Sequence, residues 1–234
     1  MAVEEIDPKT TEADPKKTRL LAFLILGFLA LVWGSSFILM KLGLAHGFKP
    51  VEMGAARLIF AAGSLMPFAL RYMRKLTRQE IIAIMVVGLV GTGIPATLFP
   101  LAQTVISSTT SGMLNSLAPL FTLLLGVMFF GFSFERRKLW GVLLGLVGAT
   151  ILVLMRETDG TGADFWKQVV FAMIAVVGTV GYGLSTNVMK RYLNETHPLM
   201  VTALASTFVA IPYAIYLFGF SDLPSKIIGG DPML

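Results

Sequence analysis

The 234-residue chain has no cysteine, only two histidines, and charge on just 14% of its residues, against about 25% in an ordinary soluble domain. Without thiols there is no disulfide framework, thiolate zinc site, iron–sulfur cluster or cysteine nucleophile. His46 and His197 fall in separate connections, neither with a second ligand at metal spacing, so no metal or other cofactor is expected. The 14 Asp and Glu lie in tails, connections or segment ends, as Glu52 and Glu80 do, and no apolar segment carries a central carboxylate. With no intramembrane Asp pair and no His-Glu-x-x-His motif, the residues offer an enzyme no chemistry, and none is expected. Strand alternation is also missing, which removes the β-barrel, the other structure that satisfies its backbone groups in lipid.

What is present is apolar surface. The chain is 55% hydrophobic, with 17 Phe, 23 Gly and a mean hydropathy of +0.76, too apolar to cover itself as a soluble monomer. At about 20 residues per crossing, apolar segments at 20–44, 51–70, 79–99, 105–131, 139–155, 168–190 and 199–219 read as seven transmembrane helices. The fold class is therefore all-α integral membrane. Residues 1–18 are polar, mixed in charge and broken by Pro8 and Pro15, so they read as a flexible tail. The acidic start and the length of the first apolar segment do not fit a secretory signal.

Thirteen basic residues precede the first span or follow the second, fourth and sixth, while Lys49, Arg156, Lys167 and Lys226 lie on the other side. This bias puts the amino terminus in the cytoplasm, most simply of a bacterial cell with the chain in its cytoplasmic membrane. The net charge of +5 follows from that topology, so the expected partner is the lipid bilayer and not nucleic acid.

The chain also repeats itself. Trp33, Gly34, Ser36, Met40 and Lys41 are answered 149 residues later by Tyr182, Gly183, Ser185, Met189 and Lys190, and soon after Lys49-Pro50 is echoed by His197-Pro198. The number of crossings between the copies makes the sixth span run opposite to the first. Inverted-topology repeats of this kind are a feature of secondary transporters, whose sites lie at the repeat interface.

These residues resemble the EamA family of the drug/metabolite transporter superfamily, ten-helix permeases of two inverted five-helix halves. The resemblance rests on Trp33-Gly34-Ser35-Ser36-Phe37 in the first span, and on Pro50 with Ala55-Ala56-Arg57-Leu58 in the second. It continues in Leu114 with Ala118-Pro119-Leu120-Phe121-Thr122 in the fourth span and in Gly141 to Leu154 in the fifth. It implies a first half over 19–155 and a second, incomplete half over 166–234, holding the sixth and seventh spans only. The native product is accordingly expected to run past Leu234. Where the family usually has Gly-Glu at the end of the fourth span, this chain has Gly131-Phe132, so no role of that glutamate carries over. The related small multidrug-resistance exporters use a carboxylate in their first span; its absence here argues against a proton antiport of that type.

Ionisable groups inside a membrane cost several kcal/mol and invite a functional reading. Arg57 lies about two turns into its span, where its fork can hold a carboxylate or can instead snorkel or tie helices together. Lys41 and Lys190 lie near opposite faces and are expected to snorkel. Trp33 and Tyr182, at equivalent depths near mid-span, read as walls of one cavity or as packing. Ser36, Asn115, Ser185 and Asn187 offer hydrogen bonds to a solute or between helices. Gly88, Gly91 and Gly93, and Gly141, Gly145 and Gly148, read as seats for closely packed helices.

The leading function is a secondary transporter, a permease or exporter that moves a small organic solute by alternating access. The resemblance implies an amino acid or related metabolite; no coupling ion is indicated by the residues, and a homo-oligomer is compatible with them. The alternatives are a seven-helix ligand sensor and a truncated, non-transporting membrane subunit.

Overall fold

The computed structural model describes residues 15–72, 75–133, 139–141, 143–144, 147–148 and 162–223. Among them are six helices long and apolar enough to cross a membrane. They are α1 (Pro15–Ala45), α2 (Pro50–Leu70), α3 (Arg78–Gln103), α4 (Ser108–Phe130), α5 (Gly162–Tyr192) and α6 (Pro198–Gly219). No strand occurs among the described residues, and the protein is an all-α membrane protein as expected. The span expected at 139–155 is helical at 139–141, 143–144 and 147–148, and its remainder lies outside the described residues. α1 starts at Pro15, inside the stretch read as tail; proline's fixed φ and missing N–H cost nothing in a first helical turn.

Local chemistry sets the helix ends. Pro50 and Pro198 open α2 and α6, Thr77 Oγ1 accepts from Glu80 N at 3.2 Å ahead of α3, and Ser107 Oγ accepts from Thr110 N at 3.1 Å ahead of α4. Gly131 closes α4 at φ 65°, the left-handed conformation that glycine adopts without steric cost.

Two helices are interrupted, each just before a proline. α3 widens into a π turn at Leu89–Gly93 ahead of Pro95, and α4 breaks at Ser116 and Leu117 ahead of Pro119. Proline supplies no N–H to the carbonyl four residues back and its ring crowds that turn. In lipid the disturbed backbone needs other partners. The Tyr213 hydroxyl on α6 donates to Gly93 O at 2.9 Å and accepts from Thr97 Oγ1 at 2.5 Å.

Contacts along the bundle fix the helix directions. Lys41, near the end of α1, reaches the end of α3 at Gln103 and Ile106, so these two helices run the same way. Glu80 at the start of α3 bonds Thr196 just after α5 at 2.9 Å, so α3 and α5 are antiparallel. α1 and α5, the two copies of the repeated motif, therefore run in opposite directions. α2 and α6 are antiparallel as well: Glu52 Oε1 at the start of α2 accepts from Ser221 Oγ beyond α6 at 2.6 Å, and Tyr72 beyond α2 stacks on His197 at 3.6 Å.

Both carboxylates at these ends have a second task inside a helix cap. Glu52 Oε2 accepts from Lys49 N at 2.7 Å, and Glu80 Oε2 from Thr77 N at 2.9 Å. One oxygen closes a capping box while the other staples a neighbouring segment.

The core gathers where α3 crosses α5 and α6. Ala83, Ile84 and Val87 pack with Val188, Leu193, Val201 and Ala205. A side chain at Gly88 would lie 2.7 Å from Ala205 O, and Gly91 and Gly93 are closed by Ser185 and Val209, so the glycines of α3 seat the helices as their spacing suggests. Gly141 and Gly148 differ: nothing among the described residues lies within 4 Å of a side chain built there, and Gly145 lies outside the described residues.

Candidate functional site

The residue expected to be costliest in lipid, Arg57, projects from α2 toward α1, where Nη1 donates to Met40 Sδ at 3.2 Å. Met40 is buried in a cluster with Phe99, Ala102, Ile106 and Ala175, against which Phe37, Met53 and Tyr182 pack. Three aromatic rings form a row across this cluster. Phe37 of α1 meets Phe99 of α3 edge-on at 5.5 Å, and Phe99 stacks on Tyr182 of α5 at 5.8 Å with 19° between the planes. Arg57 and Tyr182 meet the same cluster, one through Met40 and the other by packing on it. Four helices thus bring one permanent cation, two thioethers and an aromatic wall to one place. Such a surface favours a solute with an anionic group and an apolar body.

Lys41, expected to snorkel, is held by backbone carbonyls. Its Nζ donates to Gln103 O at 2.6 Å and to Ile106 O at 3.2 Å. A cation there satisfies carbonyls that have lost their helical partners at the end of α3 and complements the helix dipole. This contact brings α1 against the aromatic row. Lys190 lies 4.3 Å over the Phe132 ring, a cation–π contact made by the residue that stands where the resembling family has its glutamate.

The other sequence candidates separate into groups. Trp33 is 66% exposed and stands one turn before Phe37, which takes the aromatic position on the wall. Ser36 is half-buried on the same helix. Asn187 Nδ2 donates to Thr122 O and to Gly183 O, both at 2.9 Å, and so clamps α5 to α4. Ser185 is buried against Gly91 of α3. The structure brings Arg57 and Tyr182 together and sends Ser185 and Asn187 to helix contacts. Asn115 lies at the break in α4 with Oδ1 buried and without a partner among the described residues.

Two residues were missed by the sequence reasoning. Gln103, at the end of α3, is fully buried with neither amide atom bonded among the described residues, and the Ser111 hydroxyl on α4 is in the same state. Unpaired buried polar groups are costly. The signal for Gln103 in the sequence is an uncharged amide within an apolar segment.

Residues 20–154 match the model of the EamA-like transporter family, more than half of the chain. The chain belongs to that family. Within it, the chain is 33% identical over 138 residues to a WAT1-related protein of Arabidopsis thaliana, covering 55% of this chain and 39% of the plant protein. It is 21% identical over 209 residues to an uncharacterized transporter of Archaeoglobus fulgidus, covering 89% of this chain and 70% of that one. To the uncharacterized transporter YdfC of Bacillus subtilis it is 22% identical over 192 residues, covering 82% and 60%. The chain therefore spans about two fifths of the plant relative's length and well over half of the prokaryotic ones. No solved structure matches it. The family match takes in α1 to α4, and with them Arg57, Phe37 and Phe99; Tyr182 comes from α5, beyond the matched residues.

Proposed function

We propose that the protein is a secondary transporter that moves a small organic solute across the membrane by alternating access, without a covalent step. Arg57 beside the Phe37–Phe99–Tyr182 row carries this reading: a cation kept in an apolar helix bundle is worth its cost only with an anionic partner to bind or a helix to hold. Its observed partner among the described residues is a thioether, a weak acceptor, which leaves most of the guanidinium fork for a solute carboxylate. An amino acid or related metabolite fits, its carboxylate on Arg57 and its body along the rings. Gln103, Ser111 and Asn115 would serve its polar groups on the α3 and α4 side, while Trp33 and Ser36 would come into use where the earlier turns of α1 close against the bundle.

The opposite directions of α1 and α5 support alternating access, because a pseudo-symmetric pair can exchange environments when one side rocks against the other. The chain sits in the cytoplasmic membrane of a bacterial cell in this reading, with its amino terminus inside. Because the chain has no cysteine, His46→Cys in the α1–α2 turn can be labelled alone. It should react with an impermeant thiol reagent from outside intact cells; labelling only after lysis would reverse the topology. Function is tested by uptake of a labelled panel of amino acids and organic acids into vesicles. Saturable uptake of at least one solute is expected, whereas binding without uptake would indicate a sensor and neither would indicate a non-transporting subunit.

A further inference from the structure

A hollow of about 530 Å³ lies well away from Arg57, between the first turns of α3 and the last turns of α5. Ile82, Ala83, Val86 and Val188 form its apolar lining. Arg78, the first residue of α3, and Tyr192, the last of α5, stand at one end of it beside Gln79. Arg78, Ile82 and Val86 follow one another at four-residue spacing and so share one face of α3; Val188 and Tyr192 do the same on α5. Polarity therefore runs along the groove, with a cation, an amide and a phenol where the helices end and aliphatic side chains farther in. From Arg78 to Val86 the rise is about 12 Å, within the depth of one leaflet of a hydrocarbon core about 30 Å thick.

Charge at this end has one dominant sign. Arg71, Lys75, Arg78, Lys190 and Arg191 gather there among the described residues, against Glu80 and Glu195. Of these acids, Glu80 already accepts from Thr77 and Thr196. An occupant that complements the whole groove has an apolar chain and an anionic head at the level of the membrane surface.

We infer that this groove is a binding site for an anionic glycerophospholipid, with one acyl chain between α3 and α5 and the phosphate at Arg78 and Tyr192. Basic residues near a membrane surface favour anionic lipid by about fivefold each. The site is separate from the solute site, so its fate does not depend on whether transport is found.

The test is native mass spectrometry of the purified protein after equilibration with equal amounts of phosphatidylglycerol and phosphatidylcholine. The wild type should retain phosphatidylglycerol about fivefold over phosphatidylcholine. Arg78→Gln should abolish that preference without lowering the melting temperature, and Val86→Phe, which fills the groove, should reduce retention of both lipids. Equal retention of the two lipids by the wild type would overturn the assignment. So would a preference untouched by both substitutions, or full displacement of the lipid by inorganic phosphate, which would mean a surface phosphate site without an acyl groove.

Discussion

Gly34 on α1 and Gly183 on α5 hold the same place in the repeated motif, yet their surroundings differ sharply. A side chain at Gly183 would meet Thr122 N at 2.8 Å and Phe121 at 2.9 Å, while nothing among the described residues lies within 4 Å of a side chain built at Gly34. The same contrast runs through the motif. Tyr182 stacks on Phe99 while Trp33 is exposed, and Ser185 is buried while Ser36 is half-buried. Across its most apolar window α1 has 6% of its residues buried and α5 has 28%. α5 is gripped by α3 and α4 along much of its length, whereas α1 meets the bundle around Phe37, Met40 and Lys41. The motif thus specifies a helix with a small-residue seat, and the neighbouring helix determines whether that seat carries energy.

The largest break in this comparison should come from filling the two seats. Gly183→Leu pushes against backbone and is expected to destabilise the protein by about 3 kcal/mol, while Gly34→Leu changes it by less than about 0.5 kcal/mol. Thermal unfolding in detergent measures both, and similar losses would show that the two copies are packed alike. Next come the two lysines. Lys41→Met leaves the carbonyls of Gln103 and Ile106 without their ammonium and should cost about 2 kcal/mol, against about 0.5 kcal/mol for Lys190→Met, which loses only an exposed cation–π contact. The smallest contrast belongs to Asn187→Leu, about 1 kcal/mol for the bond to Thr122 O that joins α5 to α4, compared with no measurable change for Ile38→Leu at its exposed counterpart. Equal shifts in that last pair would remove the clamp between α5 and α4 as an explanation for their packing.

Apolar length and the placement of prolines and glycines made the helices legible, because burial in lipid requires both a minimum span and a punctuated end. The placement of Glu52 and Glu80 at segment ends was legible, while their capping bonds emerge only from the folded helix starts. The direction of α5 relative to α1 was legible too, because the repeat and the number of crossings determine it. The aromatic wall was only half legible. Periodicity places Trp33 and Phe37 one turn apart on the same face of α1, but only Phe37 lies where α1 meets the bundle, next to Met40 and the Lys41 contact with α3. Helix-end carbonyls that attract a lysine lie 62 and 65 residues away in sequence, beyond any local pattern. Gln103 and Ser111 were hidden for a related reason: their interest comes from burial without a partner, a property of the packed bundle.

The most direct test of the solute site is a comparison of Arg57→Lys with the wild type in vesicle uptake of an anionic solute, with the amount of folded protein in the membrane measured in parallel. Lysine keeps the charge but loses the two-pronged fork. If Arg57 is the anchor, the apparent affinity should fall by roughly 5- to 150-fold, equivalent to about 1–3 kcal/mol for lost charge-assisted bonding, while the amount of folded protein stays the same. Unchanged uptake, or a fall in uptake that merely follows a fall in folded protein, would mean that Arg57 only holds α2 against α1.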